Sequence, residues 1–279
     1  WLVALRALPK TTTVIINADD PHLAFIGSKL HATVKYFGLD DSAYFRKHMQ
    51  HATDTIYCPN CGNRLTFGGV YFSHLGKWAC GKCGFTHPAL DIAAKDIQSP
   101  IEGVYNYYNA LAAGLVCRSL GLSDKSIQGG LRQFAPAFGR METVKVGGKT
   151  VKILLSKNPT GFNESLRTVL ESSQQGPLLL LLNDRIPDGR DVSWIWDVDF
   201  EDLKGYEHPI VVSGDRCYDL GLRLKYAGID AKKTKIASSL EEAIDLGVKS
   251  VKENEILWIL PTYSAMLEAR KILTGRKIL

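Results

Sequence analysis

The chain has 279 residues, a mass of 30.8 kDa and a formal net charge of +5 at pH 7. This length suggests about two domains, and the hydrophobic content of 45% is ordinary for a globular protein. The mild basic charge is compatible with a phosphate-bearing ligand, an anionic membrane surface or nucleic acid, and it selects none of them. The longest apolar runs, GPLLLLLN and EILWILP, are too short to span a membrane, because a membrane-spanning helix needs roughly 20 residues.

The chain begins abruptly with WLVALRALPKTTTVIINADDP, which has no initiator Met and reads like the middle of a helix that runs into a strand. No basic segment followed by an apolar core and a cleavage site is visible, so the pattern of a secretory signal is missing. From the abrupt start we expect the chain to be a fragment of a longer protein, so the missing signal pattern is weak evidence.

The first half of the chain alternates strands and helices around one insertion. TTTVIINADDP reads as a strand that ends in a polar turn, and HLAFIG and TVKYFGL continue a pattern typical of a parallel α/β sheet. After the insertion, GVYNYYNALAAGLVCRSLGL predicts a helix with a glycine stop. SDKSIQGGLRQF predicts a second, short helix that a serine caps.

The insertion carries four of the six cysteines in two CxxC pairs. Cys58 and Cys61 are separated from Cys80 and Cys83 by 18 residues, which matches the spacing of a zinc ribbon. Two such knuckles bring four thiolates together as a tetrahedral site. Between them, RLTFGGVYF and GKWAC predict a short hairpin around Gly68-Gly69.

The role of the ribbon is a separate question. Four protein ligands leave the metal no open position, so a structural role is the default. A nucleic-acid interface would instead need exposed basic and aromatic residues, and the insertion offers Arg64, Lys77, Lys82, Tyr71, Phe72 and Trp78. The same residues also suit a small ribbon core with solvated lysines, so both interpretations remain open.

The second half of the chain predicts another α/β domain. A hairpin near Gly147-Gly148 leads into the strand TVKILLS, the loop KNPTGFN and a helix that we expect to begin at Asn163. Further strands are PLLLLLN, HPIVVSG, KTKIAS and EILWILP, and helices are DLGLRLKYAG, SLEEAIDLGVKSVK and SAMLEARKILTG. Ligands collect at the carboxyl ends of such strands, where we expect the loops NADDP, SKNPTGFN, NDRIPDGRD and PTYSA.

The motifs YNYYNALAA, FGRME and KNPTGFN, in this order and with a four-cysteine insertion before them, resemble the Mur ligase family, and within it the MurT subunits. The resemblance covers nearly all of the chain. It implies an α/β fold in which residues 1–142 are a truncated central ATP-binding domain with an inserted zinc ribbon at about 52–90. Residues 143–279 would be a Rossmann-like C-terminal domain that contacts a glutaminase.

The resemblance also implies an activity. Proteins of this type use ATP and Mg²⁺ to activate a carboxylate as an acyl phosphate, which an amine then attacks. The implied substrate is the α-carboxylate of the D-glutamate in the lipid II stem peptide, which becomes D-isoglutamine. The implied ammonia source is a GatD-type class I glutaminase partner. The implied location is the cytoplasm, at the inner face of the plasma membrane. We expect the zinc to be structural, and we expect no nucleic acid as a partner.

Nucleotide contacts are implied for five residues by the same resemblance. Asn109 matches an Asn near the adenine, with Asn106 as a supporting position, because an amide can both donate to and accept from an adenine edge. Arg140 matches an interdomain Arg whose guanidinium suits phosphate and ribose oxygens. Lys157 and Asn158 match the ribose or acyl-phosphate side, together with Asn163. The plainer alternatives are a helix-surface Asn, a solvated linker Arg and a helix cap.

The loop NDRIPDGRDVSWIWDVDFE is the most informative for mechanism. A glutaminase needs a Cys nucleophile, a His base and a carboxylate that orients the His. In the MurT-like family this carboxylate comes from the ligase subunit, and we assign it to Asp188, the last Asp of a DNxAD-like pattern. The sequence departs from that pattern at Arg185 and Pro187, so Asp184 is the second choice. The plainer alternative for most of the aspartates is turn and helix capping.

Trp194 and Trp196 lie two residues apart in the same loop. We expect a strand here, which would place both indoles on one side. They would then belong either to the core or to a partner-binding surface, where Trp is favoured.

A Mur-type ATPase also needs a P-loop, and the sequence contains no GxxxxGK[ST]. We therefore expect the isolated 279-residue chain to lack amidation activity. Two other functions remain open at this point. One is a self-sufficient Mur- or folylpolyglutamate-type ligase, and the other is a zinc-ribbon module that binds nucleic acid, against which the modest net charge argues.

Overall fold

The structure is a computed structural model that describes residues 1–134 and 140–275, and of Arg140 the backbone only. The chain divides into two compact units, Trp1–Ala135 and Pro136–Leu279. The domain boundary predicted after residue 142 falls within the first strand of the second unit, Arg140–Val146. None of the described helices is long and apolar enough to cross a membrane.

The first unit combines a parallel strand pair with helices and an antiparallel hairpin. Its helices are α1 (Leu2–Arg6), α2 (Pro21–Gly27), α3 (Val104–Ser119) and α4 (Asp124–Arg132). Its strands are β1 (Thr13–Asn17) and β2 (Thr33–Phe37), which pair in parallel, and β3 (Thr66–Phe72) and β4 (Leu75–Ala79), which pair antiparallel. The core packs the inner face of α3 against these elements, with Leu111 and Leu115 fully buried.

The hairpin of the insertion turns later than the glycines suggested. Gly68 and Gly69 lie inside β3, and the chain reverses at Ser73, whose φ of 48° is left-handed. The ring of Phe45 packs directly on Gly69, where any Cβ would overlap the aromatic carbons. The glycine pair therefore makes room for a packed ring, so the predicted turn around Gly68-Gly69 is wrong.

The second unit is a six-stranded sheet with helices. In sheet order its strands are β5 (Arg140–Val146), β6 (Lys149–Leu154), β10 (Ile256–Pro261), β7 (Leu178–Leu181), β8 (Ile210–Ser213) and β9 (Thr234–Ile236). Only β5 is antiparallel to its neighbour among these strands. The described helices are α5 (Pro159–Glu171), α6 (Cys217–Tyr226), α7 (Leu240–Ser250) and α8 (Tyr263–Thr274).

Strands β7, β8 and β10 are buried at every position, which explains why they read as continuous apolar runs. Their side chains form the core with α7 and α8. Because β6 to β10 run parallel, the loops after them meet at one edge of the sheet. The loops SKNPTGFN, NDRIPDGRD and PTYSA therefore lie together there, as predicted.

Helix α5 begins earlier than predicted. Asn158 is the N-cap, and its Oδ1 accepts a hydrogen bond from Gly161 N at 2.7 Å. Pro159 follows at the first helical position, where its missing N–H costs nothing. The expected start at Asn163 is wrong, because this residue lies inside the helix and is buried.

The segment with the two tryptophans is not a strand. Ser193–Asp197 form a 3-10 helix, whose three residues per turn point successive side chains in different directions. Trp194 packs near Phe162, with ring centroids 6.2 Å apart, and Ile195 is buried. Trp196 faces outward with 48% of its surface exposed. The predicted one-sided pair of indoles is therefore wrong.

Candidate functional site

The four cysteines of the insertion form one cluster. The sulfur atoms of Cys58, Cys61, Cys80 and Cys83 all lie within 4.8 Å of one another. Two of the separations are 3.7 Å, between Cys58 and Cys83, and 3.5 Å, between Cys61 and Cys80. Thiolates about 2.3 Å from a tetrahedral zinc ion would be separated by close to these distances, so the cluster fits such an ion.

The thiols differ in how readily they ionise. Burial raises the pKa of Cys58, whereas a hydrogen bond from the Asn60 side chain and another from the backbone of Phe85 lower the pKa of Cys83 to about 6. A metal binds the thiolate form and releases the protons from its ligands.

The ribbon is joined to the end of β1 by a buried carboxylate. Asp19 is 1% exposed, and its Oδ1 lies 2.7 Å from Nε2 of His87 in the ribbon. Its Oδ2 accepts hydrogen bonds from the Tyr108 hydroxyl at 2.6 Å and from Leu39 N at 2.9 Å. The indole N–H of Trp78 in the ribbon donates to the carbonyl of Ala18, the residue before Asp19, at 3.1 Å. The ribbon is thus built into the first unit.

This packing removes much of the aromatic surface that a nucleic-acid interface would need. Tyr71 is fully buried and Trp78 is 2% exposed. Phe72 is half-buried and packs edge to face with Tyr108, with ring centroids 5.4 Å apart, and Lys77 is paired with Asp40. The burial of these aromatic side chains therefore favours a structural role for the ribbon over nucleic-acid binding.

At the carboxyl edge of the second sheet, Asp188 is held against the start of α8. Ser264 N donates to Oδ1 of Asp188 at 2.8 Å, and Ser264 Oγ donates to Oδ2. Thr262, the N-cap residue of α8, makes no capping hydrogen bond with its own side chain. Asp188 therefore satisfies an amide of the first turn from another loop, and its half-buried carboxylate still has lone pairs to offer.

The other aspartates of this loop are engaged differently. Asp184 lies 3.1 Å from Nη1 of Arg216, which also pairs with Asp219. Asp191 caps the 3-10 helix by accepting from Ser193 N at 2.8 Å. Asp199 is buried and exchanges two hydrogen bonds with Asn163, at 3.0 and 2.8 Å. The plainer alternative of turn and helix capping therefore fits Asp191, whereas Asp184 and Asp199 are instead paired with other side chains.

Arg185, which replaces the expected Asn of the pattern, fixes the loop to two helices. Its guanidinium pairs with Asp215, which precedes α6, with Nε 2.8 Å from Oδ2, and with Glu268 of α8. These hydrogen bonds raise the pKa of Arg185 above its usual value. Arg185, where the pattern has Asn, therefore holds the loop to the start of α6 and to α8.

The residues predicted to contact a nucleotide lie in both units. Asn106 and Asn109 follow one another by one turn on α3, where Asn109 is exposed and Asn106 donates to the Glu102 carbonyl at 2.6 Å. In the second unit, Lys157 is exposed at the end of β6, and Asn158 is occupied as the cap of α5. The side chain of Arg140 lies outside the described residues.

Sequence reasoning missed Asn183 and Ser264. Asn183 is buried and donates from Nδ2 to Ser264 Oγ at 2.9 Å. Ser264 was covered only as part of the PTYSA loop. Ser264 could have been found from the sheet order. Strands β7 and β10 are parallel neighbours, so the loops that follow them, which carry Asp188 and Ser264, lie side by side at one edge of the sheet.

Comparison with known proteins finds the second unit similar to one described family. The model of the family described as MurT ligase C-terminal matches residues 155–266. The matched residues run from the end of β6 to the start of α8. Over a longer stretch, the chain is 33% identical to the lipid II isoglutaminyl synthase (glutamine-hydrolyzing) subunit MurT of Streptococcus pneumoniae strain ATCC BAA-255 / R6, over 99% of this chain and 65% of that protein.

The MurT subunit of Staphylococcus aureus strain COL is 34% identical over 79% of this chain and 54% of its own length. The chain thus spans between about half and two thirds of the length of these two curated relatives. The resemblance to MurT subunits predicted from the sequence is confirmed by these matches.

Solved structures support the fold. The pseudomurein peptide ligase type C from Methanothermus fervidus aligns over 94% of this chain and 56% of that chain, with a TM-score of 0.64 and 23% identity. MurF from Acinetobacter baumannii aligns over 95% and 53%, with a TM-score of 0.58 and 16% identity. The predicted α/β fold of the Mur ligase type is confirmed. The ribbon within it is indicated by the four-cysteine cluster.

Proposed function

We propose that this chain is part of the ligase subunit of an amidotransferase that acts on lipid II. In this reaction ATP activates the α-carboxylate of the D-glutamate in the stem peptide as an acyl phosphate, and ammonia displaces the phosphate to give D-isoglutamine. The 33% identity to a curated MurT subunit, over 99% of the chain, carries the proposal. The subunit would work in the cytoplasm, at the inner face of the plasma membrane where lipid II is made.

The ammonia would come from a class I glutaminase of the GatD type, bound as a separate subunit. Its Cys and His need a carboxylate that orients the His, and Asp188 is our candidate for that group. Asp188 contacts the neutral residue Ser264, whereas the second choice, Asp184, is paired with the cation Arg216. A carboxylate without a cationic partner keeps its charge for an incoming His, so the geometry favours Asp188.

A partner would meet exposed aromatic side chains beside this loop. Trp196 packs edge to face with Tyr226 of α6, at 5.6 Å between ring centroids, and 71% of Tyr226 is exposed. Leu222 and Tyr218 lie one and two turns before Tyr226 on α6 and are also exposed. Such side chains are favoured where proteins bind one another. We therefore expect the glutaminase to cover Trp196.

The cofactors follow from the same proposal. Zinc would be held by the four cysteines and would stabilise the ribbon, because four thiolates leave no position for a reacting group. ATP and Mg²⁺ would serve the activation step in the full-length protein, with Asn106, Asn109, Arg140, Lys157 and Asn158 as the proposed nucleotide contacts. The sequence contains no P-loop, so the phosphates would need residues outside it.

The test is a reaction of the full-length protein with lipid II, ATP and glutamine, with and without the glutaminase. The proposal predicts that mass spectrometry finds the D-glutamate carboxylate converted to an amide only when both proteins and ATP are present. A self-sufficient ligase would instead couple an amino acid to its acceptor without the glutaminase. That product, or amidation that needs no partner, would contradict the proposal.

A further inference from the structure

We propose that Ser264, fixed by Asn183, is the positioning residue that orients Asp188 for the His of the bound glutaminase. This inference rests on the proposed function, because it concerns the same shared site. It concerns how the carboxylate is aimed, which depends on contacts between loops far apart in the sequence.

Ser264 contacts both oxygens of the Asp188 carboxylate. The backbone N–H donates to Oδ1 at 2.8 Å, and the side-chain hydroxyl donates to Oδ2. Two donors on the two oxygens fix the rotation of the carboxylate about its own bond, which one donor would leave free. Ser264 supplies both donors from the first turn of α8, and the next two residues of that helix, Ala265 and Met266, are anchored in the core.

The direction of the Ser264 hydroxyl follows from a backbone group. Asp215 N, which can only donate, points at Oδ1 of Asn183 at 3.0 Å. That contact fixes which end of the Asn183 amide is the oxygen, so its NH₂ end faces Ser264 Oγ at 2.9 Å and donates to it. The single hydroxyl proton of Ser264 is then left for Asp188.

The surroundings keep this arrangement rigid. Asn183 is 1% exposed, and its backbone N–H donates to Thr262 Oγ1 at 3.0 Å. The network thus ties together the loops after β7, β8 and β10 at one edge of the sheet. A carboxylate held in this way keeps two lone pairs for a partner and needs no rearrangement when the His arrives.

The experiment measures glutamine hydrolysis by the complex of the full-length protein with its glutaminase. Ser264→Ala removes the hydroxyl but leaves the backbone donor, so we expect kcat to fall about tenfold, the usual effect of losing one hydrogen bond to a charged group. KM for glutamine and the Kd of the complex should stay unchanged. Ser264→Thr, which retains the hydroxyl, should restore kcat.

Two further variants make the outcome specific. Ser239→Ala removes a comparable serine contact, the cap that accepts from Glu242 N at 3.1 Å on α7, and should leave kcat unchanged. A poorly oriented carboxylate also supports the charged form of a His less well, so the acidic limb of the kcat/KM profile should move to lower pH in Ser264→Ala. A merely structural role for Ser264 would not move that limb.

The Asp188→Asn variant separates this inference from the proposed function. If Asp188→Asn abolishes hydrolysis while Ser264→Ala matches the unchanged protein, the positioning role of Ser264 is wrong and the shared site stands. If Asp188→Asn retains full hydrolysis, the assignment of Asp188 itself is wrong. Loss of kcat in Ser239→Ala equal to that in Ser264→Ala would also overturn the inference, because a general loss of helix capping would then explain both.

Discussion

His87 of the ribbon and Asp19 at the end of β1 are joined by a contact of 2.7 Å between Nε2 and Oδ1. Tyr108 of α3 donates to the other oxygen of the same carboxylate at 2.6 Å. One buried side chain therefore connects the metal-binding insertion, a strand end and the principal helix of the first unit. The insertion and the α/β part of this unit are expected to stabilise each other.

Replacing Asp19 tests this coupling. Asp19→Ala leaves three hydrogen-bonding groups without their acceptor, on His87, Tyr108 and Leu39, so we expect the free energy of unfolding to fall by about 3 kcal/mol. The control is Asp40→Asn, which breaks a half-exposed pair with Lys77 and should cost less than about 1 kcal/mol. Urea unfolding measures both, and equal losses would contradict the account.

Removing one thiolate tests the metal site. Cys80→Ser should abolish stoichiometric zinc binding, measured by elemental analysis, and expose the ribbon to limited proteolysis, because ribbons of this size depend on their metal. The second unit should remain folded. Cys117→Ser, a half-buried cysteine of α3, should retain zinc. A Cys80→Ser protein that still holds one zinc ion per chain would show that the cluster has been misassigned.

The sequence predicted features that depend on local spacing, and it was wrong where tertiary packing decides. The two CxxC pairs, the buried strands and the Ser123 cap of α4 follow from short patterns, and the structure has them. The turn at Gly68-Gly69 was mistaken because Phe45, distant in sequence, occupies the space above Gly69. The expected strand at Trp194 and Trp196 is instead a 3-10 helix, in which Ile195 is buried and Trp194 packs near Phe162, 32 residues earlier in the chain.

The candidate site shows the same division. The loop that contains Asp188 stands out by its composition, but the choice among its aspartates depends on what each one contacts. The contact between Asp188 and Ser264 spans 76 residues and exists because β7 and β10 are neighbours in the sheet. Neighbouring strands of this kind are ordered by the whole fold, which no short motif encodes.

The exposed indole provides a test of the partner surface. Trp196→Ala should weaken the binding of the glutaminase about tenfold or more, because exposed Trp residues often dominate such interfaces. Thermal stability should change little, since 48% of Trp196 is already exposed. Isothermal titration calorimetry measures the affinity. Leu120→Ala, an exposed apolar residue of the first unit, is the control, and an equal effect there would argue against a specific surface.

Lys157 and Asn163 separate binding from stability. In the full-length protein, Lys157→Ala should weaken ATP binding about tenfold without affecting stability, because this exposed amine is proposed to meet a phosphate-bearing group. Asn163→Ala should leave ATP affinity unchanged but lower the free energy of unfolding by about 2 kcal/mol, since Asp199 loses both of its contacts with Asn163. Fluorescence titration measures the ATP affinity and urea unfolding measures the stability. Weaker ATP binding in Asn163→Ala, or lost stability in Lys157→Ala, would contradict this prediction.

The most direct measurement is the rate of glutamine hydrolysis by the cognate GatD-type glutaminase, alone, with this chain, and with its Asp188→Asn variant. The account predicts that the chain binds the glutaminase and stimulates hydrolysis. The variant should bind equally well and fail to stimulate, because an amide cannot orient the catalytic His in the same way. A chain that neither binds nor stimulates the glutaminase would contradict the account and favour a self-sufficient ligase of the Mur type.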